Sequence, residues 1–86
     1  MNRKEEFEIV KNIIKERYDE GNCGLFDTRN LVGDPMKTLY SGKYFTLDIY
    51  HYYSYFEVFG TTKEEFDELD KLYYKLFEEK MKRYDE

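Results

Sequence analysis

The chain has 86 residues and a net charge of −5, from 14 basic and 19 acidic side chains. This length predicts a single domain over 1–86, which buries only about 60–65% of the surface that the unfolded chain exposes.

No apolar run approaches the roughly 20 residues that cross a bilayer. The single Cys23 is untypical of small secreted domains. We therefore expect a cytoplasmic protein that contacts no membrane. The acidic excess also disfavours direct nucleic-acid binding.

The N-terminal segment predicts a helix over about residues 3–20. Its apolar residues recur at spacings of three and four, which places them on one face. They are Phe7, Val10, Ile13, Ile14 and Tyr18. Asn2 and Glu5 have the spacing of a capping box, and Gly21-Asn22 predicts the end of the helix.

The middle of the chain predicts β-structure. Residues 43–49 and 54–59 alternate, so Phe45, Leu47 and Ile49 are expected on one face together with Phe56 and Val58. Ser41-Gly42 predicts a hairpin that joins a strand over 36–40 to the next one. Residues 50–53 are the expected turn before the last strand, and residues 23–28 are a candidate for a further strand.

The C-terminal segment predicts a second helix over about residues 63–83, with Thr62 and Glu65 in another capping box. Its predicted buried stripe is Phe66, Leu69, Tyr73, Leu76, Phe77 and Tyr84, with Leu72 and Met81 beside it. The fold class is therefore α+β. We expect a helix, an antiparallel sheet of three to four strands and a second helix, with both helices packed on one face of the sheet.

Aromatic residues are concentrated between Tyr40 and Phe59, where six tyrosines and three phenylalanines occur in twenty positions. A small core cannot hold all of these rings, and exposed tyrosines are typical of binding surfaces. The second face of the sheet, left without a covering helix, is the predicted partner-binding surface. Its residues are Tyr44, Asp48, Tyr50, Tyr52, Tyr53, Tyr55 and Glu57. A homodimer interface or an ordinary half-exposed sheet would also account for the pattern.

The loop that follows the first candidate strand contains four polar residues that could form a second recognition element. They are Asp27, Arg29, Asn30 and Asp34. The simpler interpretation, which we favour, is that the aspartates shape turns and that Arg29 pairs with one of them.

Catalysis has little support in the sequence. Cys23, His51 and Asp48 include the residue types of a nucleophilic set, but no local motif surrounds Cys23. No Cys or His spacing predicts a metal site, and no glycine-rich loop predicts a phosphate or cofactor site. We expect a protein without enzymatic activity, cofactor or metal. A small enzyme or ligand-binding module that uses Cys23, His51 and carboxylates remains the alternative.

Two stretches carry a resemblance: CGLFDTRNLVGDPM at 23–36, and YSYFEVFG at 53–60 followed by Glu64, Glu65 and Phe66. They resemble a group of small proteins from low-GC Gram-positive bacteria and their phages and mobile elements. The resemblance implies a setting and no activity. Small acidic proteins in that setting are often inhibitors of host defence, such as anti-CRISPR proteins. By this analogy of class we expect a steric inhibitor. It would block a host defence or nucleic-acid-processing protein. Such a partner is expected to be basic or to bind nucleic acid, because a basic surface attracts an acidic domain.

Overall fold

The structure is a computed structural model that describes residues 1–26, 36–50 and 54–84; of Met36 and Tyr84 it describes the backbone alone. Two helices enclose four strands in chain order, which confirms the α+β class. The elements are α1 (Arg3–Glu16), a 3₁₀ turn (Tyr18–Glu20), β1 (Leu25–Phe26), β2 (Met36–Ser41), β3 (Thr46–Tyr50), β4 (Tyr55–Phe59) and α2 (Lys63–Tyr84).

The four strands form one mixed sheet in the order β1-β4-β3-β2. β2, β3 and β4 are antiparallel neighbours, and the predicted hairpin at Ser41-Gly42 is confirmed. The prediction of a wholly antiparallel sheet is wrong, because β1 runs parallel to β4, with Leu25 opposite Phe56. β1 and β2 lie at opposite edges of the sheet, so these successive strands do not form a hairpin.

The hydrophobic core lies between one face of the sheet and both helices. The face carries Phe45, Leu47, Ile49, Phe56 and Val58, as the alternation predicts. Phe7, Val10 and Ile14 of α1 and Leu69 of α2 complete the buried cluster. The same core therefore buries the alternating apolar residues of β3 and β4 and the regularly spaced apolar residues of both helices.

Both predicted capping boxes are present. The Asn2 side chain accepts from the Glu5 N–H at 2.8 Å, and the Thr62 hydroxyl accepts from the Glu65 N–H at 3.2 Å. α1 is shorter than predicted, because Arg17 leaves helical geometry at φ −112° and ψ 22°. A 3₁₀ turn then carries the chain through Tyr18, whose side chain is still buried.

Polar groups join the start of α1 to the sheet and to α2. Arg3 Nε donates to Glu65 Oε2 at 2.8 Å, and Arg3 Nη2 donates to the Gly60 carbonyl at 2.7 Å. Glu6 is buried and accepts from the Tyr44 N–H at 3.1 Å, in the connection between β2 and β3. Burial raises the pKa of Glu6, but the hydrogen bonds from Tyr44 N–H and the Tyr40 hydroxyl outweigh this and lower it. The charged carboxylate thus fixes that turn.

Candidate functional site

The second face of the sheet, the predicted binding surface, is buried at the four predicted positions that the structure describes in β3 and β4. Asp48 lies directly opposite Glu57, and Tyr50 lies directly opposite Tyr55. Their exposed fractions are 3% and 0% for the acids, and 4% and 7% for the tyrosines. The prediction that these four side chains are open to a partner is wrong.

Part of the physical reason is that the aromatic rings cover one another. Tyr50 stacks on Tyr55 with ring centroids 4.7 Å apart, and Phe26 packs its edge against Tyr55 at 5.2 Å. The short parallel strand β1 brings Phe26 to this position. A sequence pattern predicts which side of a strand a ring occupies, but it does not show which rings will stack.

The buried carboxylates act on the Tyr50 hydroxyl. Burial raises its pKa to about 12, with further contributions from the nearby carboxylates of Glu57 and Asp48. Asp48 Oδ1 accepts no hydrogen bond from any residue that the structure describes. Tyr50 therefore remains a neutral donor on this face at physiological pH.

We expect alkaline pH to destabilise the protein through Tyr50. An unfolded tyrosine has a pKa of about 10, so the contribution of Tyr50 to stability is complete below about pH 10 and is lost as the pH rises towards about 12. The free energy of unfolding, measured in denaturant across this range, should fall less steeply for Tyr50→Phe than for the wild type. Equal slopes in the two proteins would contradict the expectation.

The other predicted site residues are separated from this face or lie outside the described residues. Tyr44 precedes β3 and packs beside the core, with Arg3 over its ring at 5.6 Å, so its predicted place on the second face is wrong. Cys23 is exposed. Seven predicted residues lie outside the described part of the chain: Asp27, Arg29, Asn30, Asp34, His51, Tyr52 and Tyr53. Their roles stay predictions.

The large exposed hydrophobic side chains lie mainly on α2. Tyr74 is 63% exposed, Phe77 47% and Met81 45%, and Phe26 of β1 is 41% exposed. We call these four residues the α2–β1 surface. The prediction that Phe77 belongs to the buried stripe is therefore wrong, and Met81 points away from the core as well.

α2 carries two apolar stripes, which explains that error. Leu69 is buried, and Phe66, Tyr73 and Leu76 pack against the core. Tyr74, Phe77 and Met81 follow the same spacing of three and four on a neighbouring face. The signal was present in the sequence: eight apolar residues between 66 and 81 are more than one core-facing stripe of a two-layer domain requires.

A cleft of about 340 Å³ lies between β1 and α2. Cys23, Gly24 and Phe26 line it from the β1 side, and Asp70, Tyr74 and Phe77 line it from α2. The Tyr73 hydroxyl donates to the Gly21 carbonyl at 2.8 Å and so joins α2 to the segment before β1.

Backbone hydrogen bonds hold the β1 side of this cleft on β4. The Cys23 N–H donates to the Ser54 carbonyl at 2.7 Å, and the Phe56 N–H donates to the Gly24 carbonyl at 2.9 Å. One wall of the cleft therefore belongs to α2, and the backbone of the other wall is hydrogen-bonded to the chain at the start of β4, which suits a preformed binding surface.

The exposed stripe of α2 is acidic. Asp67, Asp70 and Glu78 lie along it at helical spacings of four or seven from Tyr74, whereas Lys71 and Lys75 border it. Among the described residues, no cation lies within ion-pair distance of these three carboxylates. The α2–β1 surface thus combines exposed aromatic rings with carboxylates that form no ion pair with another described residue.

Searches for known chemistry and known relatives give no assignment. Among residues 1–26, 36–50 and 54–84, no group of three or more His, Cys, Asp or Glu side chains could hold a metal ion. Within these ranges, neither helix has the apolar stretch that a membrane span requires. No family model, curated protein or solved structure matches the chain.

Proposed function

We propose that this domain works by binding a basic protein through the α2–β1 surface, and not by catalysis. The observation that carries the proposal is the side-by-side arrangement of Tyr74, Phe77 and Met81 with the unpaired carboxylates of α2. Tyrosine and methionine are enriched in the centres of protein interfaces, and unpaired charge at the margin selects a partner of opposite sign.

A homodimer through the same surface is less well supported. In a two-fold interface the same residues face each other or lie close together. Asp67, Asp70 and Glu78 would then come near their own copies, and Lys71 and Lys75 at the border of the stripe would offset this repulsion only in part. A basic partner removes this cost and provides the missing counter-charges.

The specific form of the proposal is steric inhibition in the bacterial cytoplasm. A protein that binds nucleic acid carries a groove rich in Lys and Arg, which is the surface an acidic and aromatic domain fits. A domain of 86 residues seated on such a groove would exclude its nucleic acid. The supports are the charge of the domain and the composition of its exposed stripe, together with the class analogy drawn from the sequence.

The test is capture followed by competition. The tagged protein is used to isolate partners from a lysate of a low-GC Gram-positive bacterium, and the purified partner is then rebound in the presence of increasing nucleic acid. We expect one basic partner, mutually exclusive binding with nucleic acid, and weaker binding at higher salt. Simultaneous binding of nucleic acid would contradict steric inhibition. A stable dimer in light scattering, with no partner captured, would contradict the proposed function.

A further inference from the structure

The cleft between β1 and α2 has the composition of a site for a cationic side chain. Three aromatic side chains that line it, Phe26, Tyr74 and Phe77, are between 41% and 63% exposed. The π-face of an aromatic ring attracts cations, and this attraction grows when the cation is partly removed from water. A volume of about 340 Å³ is at the lower end of the range for small-molecule pockets, so it suits one side chain of a partner.

Asp70 places a negative charge at the wall of the same cleft. Asp70 is a partly buried residue, and its carboxylate makes no ion pair with the residues that the structure describes. Other carboxylates near the helix surfaces already have a cation as a neighbour. Glu65 pairs with Arg3, Glu68 lies near Lys11, and Asp19 lies near Lys80. Asp70 is thus a carboxylate beside aromatic rings that pairs with no cation among the described residues.

The chemistry of the walls favours a guanidinium over an ammonium group. A guanidinium is planar and weakly hydrated, so it can stack on a ring and still donate two parallel hydrogen bonds to a carboxylate. An ammonium group is compact and strongly hydrated, and it would lose more hydration on entering a cleft lined by Phe26 and Phe77. An apolar side chain would leave Asp70 without a counter-charge.

We infer that this cleft is the subsite for one arginine of the partner, with its guanidinium against Tyr74 and Phe77 and paired with Asp70. The inference rests on the proposed function, since it names the chemistry by which the same surface recognises its partner. It adds a specific prediction: one arginine at the centre of the interface contributes more than the surrounding basic residues do.

The inference is tested without the partner, by nuclear magnetic resonance titration of the whole protein. The probe is N-acetyl-arginine N-methylamide, and the controls are the corresponding neutral citrulline compound and the lysine compound. We expect saturable shifts of the amides of residues 22–26 and 70–77, with a dissociation constant on the order of 10 mM. Citrulline should give no such shifts, and lysine should bind more weakly.

Variants assign the interaction to individual groups. Asp70→Asn keeps the shape of the side chain and should weaken arginine binding about threefold to fivefold. Tyr74→Ala should weaken it similarly, whereas Tyr74→Phe, which keeps the ring, should not. Glu79→Gln, which removes an exposed carboxylate elsewhere on α2, is the matched control and should have no effect.

The outcomes separate this inference from the proposed function. Equal shifts with citrulline, equal binding of lysine, or shifts confined to the acidic start of α2 near Glu64 and Glu68 would overturn the arginine subsite. If arginine fails to bind while a captured partner still requires Tyr74 and Phe77, the subsite is wrong and the binding function stands. If arginine binds here but a captured partner is indifferent to Tyr74 and Phe77, the binding function is wrong.

Discussion

Gly60→Ala is expected to destabilise the protein by about 3 kcal/mol, at the upper end of the cost of a residue held in an unfavourable backbone conformation. Gly60 has φ +93°, a region that residues with a Cβ rarely occupy. A Cβ added there would collide with the backbone carbonyl oxygen of Tyr44, and the Phe45 Cα lies close by. Because these are backbone atoms beside a central strand, they cannot move aside as a flexible side chain could.

The position of Gly60 explains why the strain would spread. The residue follows β4 directly and lies two positions before Thr62, which caps α2, and its carbonyl accepts from Arg3 of α1. A shift of this backbone therefore disturbs the junction of both helices with the sheet. Thermal unfolding followed by circular dichroism should show the melting temperature lowered by roughly 10–25 °C.

Gly24→Ala is the matched control for this variant. Its added Cβ would meet the Phe26 ring at 2.9 Å, but that ring is partly exposed and is a side chain that can rotate. The φ of Gly24 is negative, which alanine also adopts. The Gly24→Ala change should therefore alter the free energy of unfolding by less than about 1 kcal/mol. A Gly60→Ala protein that melts within a few degrees of the Gly24→Ala protein would contradict the expected strain.

The sequence predicts the elements of this fold well because their signals are local. The capping pairs Asn2–Glu5 and Thr62–Glu65 mark where both helices begin, and the alternation of β3 identifies its core face. The parallel pairing of β1 is not local. It depends on where the chain places a two-residue strand relative to β4, which no spacing in the sequence encodes.

The candidate site was predicted less well, for two physical reasons. Tyrosine is amphipathic, so the same residue type stacks in a buried pair at Tyr50 and Tyr55 and stands exposed at Tyr74. Carboxylates were also expected at the surface, yet Glu6, Asp48 and Glu57 are buried. Composition alone does not separate these cases, because burial depends on which neighbours supply hydrogen bonds and ring contacts.

The helical stripes show what sequence reasoning could have recovered. Assigning Phe77 to the core follows from its spacing to Phe66, Leu69 and Tyr73, which lie near it on the helical surface. The apolar residues of α2 cover more of its circumference than the core can bury. In the structure, the part left exposed is the stripe of Tyr74, Phe77 and Met81. The width of the apolar surface of α2, more than its centre, is therefore the sequence signal of this exposed stripe.

Replacing Tyr74 and Phe77 together by alanine is expected to weaken partner binding by at least about 100-fold. Aromatic residues at the centre of an interface commonly cost 2 kcal/mol or more each when truncated, and about 1.4 kcal/mol corresponds to a tenfold change in affinity. The loss should arise mainly from faster dissociation. Surface plasmon resonance with the purified partner measures both rate constants.

The same double variant should remain folded, which makes the result interpretable. Tyr74 and Phe77 are 63% and 47% exposed, so little of the core is removed with them. Glu79→Ala with Arg83→Ala is the matched control, because it truncates two exposed side chains of the same helix on a different face and leaves the net charge unchanged. If the control weakens binding as much as the aromatic variant does, general damage to α2 explains the loss. If neither variant weakens binding, the partner uses another surface of the protein.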